Sequence, residues 1–194
     1  MNKSKLSTEK DSRFKKAVSM IKEIISGSAF KEDPVHSKLV HQNVLSLNPE
    51  ADEALQIAAL AHDIDRAIEE RRIKEEDYED YNKYKHDHAL QSAQVISEIL
   101  RKIGYDHSFI KKVKLLVEQH EIGKEGDDKI LKEADSLTFF QYNFPYYQKN
   151  NTEEQIKNKI RFMYNRLSDK AKVEIKKIKF PDELNKLFLE AISE

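Results

Sequence analysis

The chain has no cysteine and no tryptophan, and only four glycines and four prolines among its 194 residues. It also has no apolar run long enough to span a bilayer. Each absence excludes something. Without cysteine there is neither a disulfide framework nor a thiolate metal site, so a strong metal ligand here must be a histidine or a carboxylate. Without an excess of one charge, 34 Lys plus Arg against 35 Asp plus Glu for a net charge of -1, no global field selects a duplex nucleic acid or an anionic membrane as a partner. The opening residues, Met1 to Lys10, lack the apolar centre of a signal peptide. A soluble, cytoplasmic protein without membrane association is the expectation, and the length suits one domain.

The few glycines and prolines all fall between periodic apolar stretches, where helices stop and start. The pattern predicts a helix over about 11–26 closed by Gly27, a second from Asp33 with Pro34 in its first turn, and a third opening at Asn48-Pro49. Further helices are expected over about 81–103 up to Gly104, then 108–121, 128–140 and 152–167, with more from Ser168 and from Pro181. No stretch alternates with period two, so the fold class is all-α. Residues 1–10 are expected to form a flexible tail.

One stretch breaks the usual sorting of residues. Leu60-Ala61-His62-Asp63-Ile64-Asp65-Arg66-Ala67 follows the apolar run Ala54-Leu55-Gln56-Ile57-Ala58-Ala59. A carboxylate buried there must neutralise, pair or coordinate a metal. Helical spacing sends other polar groups inward. His36 shares a face with Leu39, Val40, Val44 and Leu47, His120 extends the face of Val113, Leu116 and Val117, and Asp135 lies between Leu131 and Phe139 at the edge of a buried stripe. A lone inward histidine is ordinarily a hydrogen-bonded core residue. Here several helices each contribute one such group, with no buried Lys or Arg evident to neutralise the carboxylates, and a divalent metal resolves the charge problem in one step.

Asp33-Pro34-Val35-His36-Ser37-Lys38-Leu39-Val40, then His62-Asp63, then Ala134-Asp135 resembles the H…HD…D signature of the HD-domain metal-dependent phosphohydrolases. The resemblance implies a single HD-type helical bundle over 11–194, with a metal-site core at about 33–140 and extra C-terminal helices at about 150–194. It also implies that His36, His62, Asp63 and Asp135 hold one metal ion. His88-Ala89-Leu90-Gln91-Ser92-Ala93 and Glu118-Gln119-His120-Glu121 are similar to the elements of members that hold a second ion, with Asp63 bridging. Helical phase alone does not separate His86 from His88, and the small Ser92-Ala93 pair favours His88. A single ion, with His88 and His120 as outer contacts, stays open. His41, His86 and His107 read as surface residues.

The sequence departs from that family where many members have H-D-I-G-K and this chain has His62-Asp63-Ile64-Asp65-Arg66. Without the glycine, the third helix is expected to continue through Ala67 to Arg72. Arg66 reads either as a contact to a phosphate oxygen or as a surface residue paired with Glu69 or Glu70.

Mixed imidazole and carboxylate donors suit Fe, Mn, Co, Ni or Zn, as one or two ions. Such a metal lowers the pKa of bound water, and the expected reaction is attack by the resulting hydroxide on a small phosphorylated metabolite such as a nucleotide. Whether the substrate is a monoester or a diester stays open. Asp65 or Glu121 would serve as general base or would orient a ligating imidazole. Arg161 and Arg166 would reach a phosphate or solvate a helix. The aromatic run 139–147 reads as core in preference to a nucleoside pocket. A di-iron oxygenase of the inositol-oxygenase kind and a non-catalytic metal- and nucleotide-binding sensor are the alternatives. A homodimer is compatible with all three.

Overall fold

Every regular element among the described residues is helical, and no strand occurs. The computed structural model describes residues 3–193, with side chains from residue 11 onward. Residues 1 and 2 of the expected tail lie outside the described residues, and the first helix, α1, is Lys3–Ser26. The chain divides into two compact units, one up to Leu131 and one from Lys132. No helix among the described residues is long and apolar enough to cross a membrane.

The first unit is built around a short helix, α3 (Glu53–Ala61), in which Ala54, Leu55, Ile57, Ala58, Ala59, Leu60 and Ala61 are all buried. A helix apolar on every side must be surrounded. Around it pack α1, α2 (Asp33–Leu47) and α5 (His107–Gln119), while α4 (Tyr81–Ile103) lies along α5. Ala17, Ile21 and Ile25 form the buried stripe of α1, and Val40, Val44 and Leu47 that of α2. Each of the larger of these side chains contributes about 1.5–3 kcal/mol on full burial.

Local signals account for most helix ends. Asp80 caps α4 by accepting from the amides of Asn82 and Lys83, and Gly104 closes it with φ 92°, a left-handed residue that glycine adopts without a Cβ clash. Asp106 caps α5. After α5 a tight turn leads to α6 (Gly126–Thr138). Gly123 is required there because a Cβ would run into the Asp128 carbonyl.

Two boundaries of α3 differ from the sequence expectation. It starts at Glu53, with Asp52 accepting from the Leu55 amide, while Asn48 and Pro49 belong to the preceding turn, where the Ala51 amide donates to the Asn48 carbonyl. It also ends at Ala61 and does not run on to Arg72. A 3-10 turn, Ile64–Ala67, and an irregular stretch containing a second short turn, Glu75–Asp77, lead to α4. Tertiary hydrogen bonds of Asp65 with Ser92 and the Ile73 amide compete successfully with continued helix.

In the second unit, a π-helical turn, Phe139–Asn143, precedes α7 (Phe144–Lys149), α8 (Glu153–Asn165), α9 (Asp169–Ile175) and α10 (Asp182–Ser193). A full capping box at Thr152 and Gln155 starts α8. Phe139, Phe140 and Phe144 are buried and pack edge-on or tilted against one another and against Phe180 and Phe188. Much of the aromatic run is therefore core.

Candidate metal centre

His62 and His120 occupy equivalent positions, each the C-cap of its helix. The His62 ring donates from Nδ1 to the Ala59 carbonyl at 3.0 Å, and the His120 ring donates from Nδ1 to the Val117 carbonyl at 2.7 Å. These carbonyls lie in the last turn, where a helix end leaves carbonyls without the usual partner four residues on. Satisfying them makes Nδ1 the donor in each ring and turns Nε2, which can bind a proton or a cation, to the interior.

Asp63 is where the histidines meet. Its Oδ1 lies 3.0 Å from His88 Nε2, 3.4 Å from His62 Nε2 and 3.7 Å from His120 Nε2. Its Oδ2 lies 4.0 Å from His36 Nε2, which is itself 3.1 Å from His62 Nε2. Histidines from α2, the end of α3, α4 and the end of α5 thus surround one carboxylate. Asp63, His88 and His120 each offer a ligand atom, all within 4.8 Å of one another. Two donors on one ion, each at about 2.1 Å, are at most about 4.2 Å apart, and the distances of His88 and His120 from Asp63, 3.0 and 3.7 Å, fall within that span. Beside His36, His62 and Asp63 is a crevice of about 10 Å³, also lined by Asp33, Ser37 and Leu60, about the room one water-sized sphere needs. Ser37 ties its walls together by donating to the Leu60 carbonyl at 2.7 Å.

The carboxylate is held by charge. Burial alone would raise the pKa of Asp63, but His62, the hydrogen bond from His88, and Arg66 together hold it well below the usual carboxylate range. For His88 burial disfavours the charged ring, yet Asp63 and Asp65 on either side push its pKa up to about 10. His88 Nδ1 lies 2.9 Å from Asp65 Oδ1 but off the line of a directed hydrogen bond.

Asp65 is completely buried. The Ser92 hydroxyl donates to its Oδ1 at 2.8 Å, the Ile73 amide donates to its Oδ2 at 3.4 Å, and its own amide donates to Ser92 Oγ at 3.2 Å. This is why α3 stops. The side chain and amide of Asp65 are bonded to α4 and to the following loop, and the His62 ring takes the carbonyl bond that another helical residue would have made.

Arg66 bridges two of the carboxylates that line the crevice. It reaches Asp33 Oδ1 at 3.1 Å and Asp63 Oδ2 at 3.5 Å, and its guanidinium sits 4.9 Å above the Phe30 ring. Burial raises the Asp33 pKa despite Arg66 and the hydroxyl of Ser28, which donates to it at 2.6 Å. Glu121 pairs with Lys85 at 2.5 Å and lies 3.8 Å from His120 Nε2. The expectation that no buried cation faces these carboxylates is therefore corrected, since Lys85 is buried against Glu121, while the half-buried Arg66 pairs with Asp33 and Asp63. Tyr84 stacks on His88 with ring centroids 6.0 Å apart. Burial and the charge of Asp63 push its pKa up to about 12.

A family model described as "Domain of unknown function (DUF4202)" matches residues 16–188. The chain belongs to this family. No curated protein and no solved structure gives a match. The match takes in every residue of the histidine and carboxylate cluster.

Of the residues expected from the sequence, the structure gathers His36, His62, Asp63, His88 and His120, with Asp65, Arg66 and Glu121 around them. His86 and His107 are exposed, and His41 is half-buried against Gln56. Arg66 pairs with neither Glu69 nor Glu70 but with Asp33 and Asp63. Asp135 and Arg166 belong to the second unit, where they pair at 3.1 Å, and Arg161 there donates to Asn158 at 2.9 Å. Sequence reasoning missed Asp33, Tyr84 and Lys85. A signal for the last two was present, because residues 81, 84, 85, 88 and 92 share one side of α4 at helical spacing.

Proposed function

We propose that this chain is a metal-dependent phosphohydrolase acting on a small phosphorylated metabolite such as a nucleotide, with one or two divalent ions held by the histidines around Asp63. The observation that carries the reading is the position of Asp63 itself, with one oxygen toward His62, His88 and His120 and the other toward His36. A carboxylate with donors on both sides suits a bridging ligand between two ions. The resemblance to HD-domain phosphohydrolases names Asp135 as a further metal ligand, and that assignment is part of the proposal.

When bound, such an ion supplies positive charge for the phosphoryl oxygens and makes water a stronger acid. The chain's own residues supply the rest. His62 and His120, with tautomers fixed by backbone carbonyls, hold their Nε2 atoms in place before any ligand arrives. Asp65 braces His88 from the side away from Asp63. Arg66 presents a guanidinium whose planar fork matches two phosphate oxygens. Glu121, beside His120, accepts a proton from an attacking water while Lys85 keeps its carboxylate in position.

The test is elemental analysis of protein purified without chelator, followed by phosphate release from a panel of nucleotides, sugar phosphates and p-nitrophenyl esters. Stoichiometric transition metal, and release that disappears in His62→Ala, is the expected result. Protein that binds no metal would sink the reading. Iron-specific oxygen consumption would move it to a di-iron oxygenase, and tight nucleotide binding with no product to a sensor.

A further inference from the structure

Tyr84 is a residue of the same site that the mechanism above does not use. It lies one turn before His88 on α4, and its ring stacks on the His88 imidazole at 6.0 Å and 22°. Tyr78 and Tyr81 hold the ring from other sides, with centroids 5.9 and 5.8 Å away. The ring is therefore fixed, but the hydroxyl is not committed. Among the described residues it has no hydrogen-bond partner, whereas the Tyr78 hydroxyl donates to Asp87 at 3.0 Å and the Tyr105 hydroxyl to Glu53 at 2.5 Å. Tyr84 is half-buried, and Asp63 and Arg66 are the charged groups that act on its hydroxyl most strongly. A half-buried phenol with no hydrogen-bond partner among the described residues, on a ring stacked against His88 and influenced most by the charges of Asp63 and Arg66, is open to a ligand at this site.

We propose that Tyr84 is a substrate-contacting residue whose hydroxyl donates a hydrogen bond to a phosphoryl oxygen of the ester bound at Asp63, His88 and His120. The inference rests on the phosphohydrolase reading. The phenol keeps its proton throughout. Water forms the new bond to phosphorus and passes its proton to Glu121, the bond to the leaving oxygen breaks with its electron pair staying on that oxygen, and Tyr84 and Arg66 take different non-bridging oxygens from different elements, α4 and the turn Ile64–Ala67. A donor in that place strengthens its bond as charge grows on the phosphoryl oxygens, so its effect falls on turnover as well as on binding. The ring itself has a second role, closing one side of His88 to water.

The experiment compares the full-length, manganese-loaded wild type with Tyr84→Phe and Tyr78→Phe. Two readouts are used: hydrolysis of p-nitrophenyl phosphate and bis(p-nitrophenyl) phosphate, and calorimetric titration with inorganic phosphate. Tyr84→Phe keeps the ring stack, so melting temperature and bound metal should stay at the wild-type level. Phosphate affinity should fall about tenfold, and kcat/KM for the better ester about ten- to a hundredfold, the range for one hydrogen bond to a charged group. Tyr78→Phe should match the wild type in both readouts. A wild type that hydrolyses an ester or binds phosphate, alongside a Tyr84→Phe variant with the same rate and affinity, overturns the inference and leaves the phosphohydrolase reading intact. A metal-loaded wild type that neither hydrolyses these esters nor binds phosphate overturns both.

Discussion

His62 and His120 close their helices in the same way: each ring donates from Nδ1 to the carbonyl three residues back and turns Nε2 toward the same oxygen of Asp63, at 3.4 and 3.7 Å. A ring that caps a helix and faces a ligand position does two tasks that substitution separates. His120→Ala should remove one ion of two and most phosphate release while sparing the other ion, whereas a His62→Ala, Asp63→Ala double variant should lose all bound metal. Elemental analysis reads both. In the wild type, a chelator should lower the melting temperature, because an ion that binds only the folded chain stabilises it. A His120→Ala variant with the full wild-type metal content would remove the two-ion arrangement.

Arg66 joins Asp33 and Asp63 across the crevice. Arg66→Ala should leave metal content near the wild-type level but destabilise the fold by about 1–3 kcal/mol, since it leaves the buried Asp33 carboxylate with Ser28 as its remaining close donor. Urea unfolding measures that cost. Arg66→Lys restores the charge without the planar fork, and should recover stability better than turnover.

Ser92 holds the turn after α3. Its hydroxyl donates to Asp65 Oδ1 and accepts from the Asp65 amide, both inside the protein. Ser92→Ala should cost about 1–3 kcal/mol in chemical denaturation, and hydrogen exchange should show the amides of residues 64–67 opening more readily than in the wild type. Unchanged protection there would mean that the turn is held by something else.

His41 gives a pH dependence that is separate from the metal centre. Burial lowers its pKa below the ordinary histidine value, with Lys22 adding to the effect and the hydrogen bond to Gln56 opposing it. The unfolded chain therefore binds more protons at this position than the folded chain once the pH drops into the range of the free imidazole, about 6.5. Stability falls as the pH falls through that value toward the lower folded pKa, and is recovered above it. In His41→Asn the loss of melting temperature between pH 7 and pH 5 should be smaller than in the wild type, with metal content the same. An identical pH slope in the two proteins would contradict this assignment.

What the sequence determined by itself is local. The all-helical class follows from apolar spacing, and the limits of α4 follow from Asp80 and Gly104, because caps and left-handed glycines act within one turn of the residue that carries them. The inward direction of His36 and His120 was legible for the same reason: a helix with one apolar face fixes which side chains share it. Tertiary structure decided what those groups meet. It chose His88 over His86 by burying one and exposing the other. It ended α3 at Ala61, although the sequence through Arg72 is compatible with helix, because Ser92, distant along the chain, and the Ile73 amide in the following loop bind the carboxylate of Asp65. It also supplied the paired cations, half-buried Arg66 beside Asp33 and buried Lys85 beside Glu121, which no spacing rule within a single helix reveals. A hydrogen bond or an ion pair between elements depends on which residues packing brings within about 3 Å, and that distance is set by the whole fold.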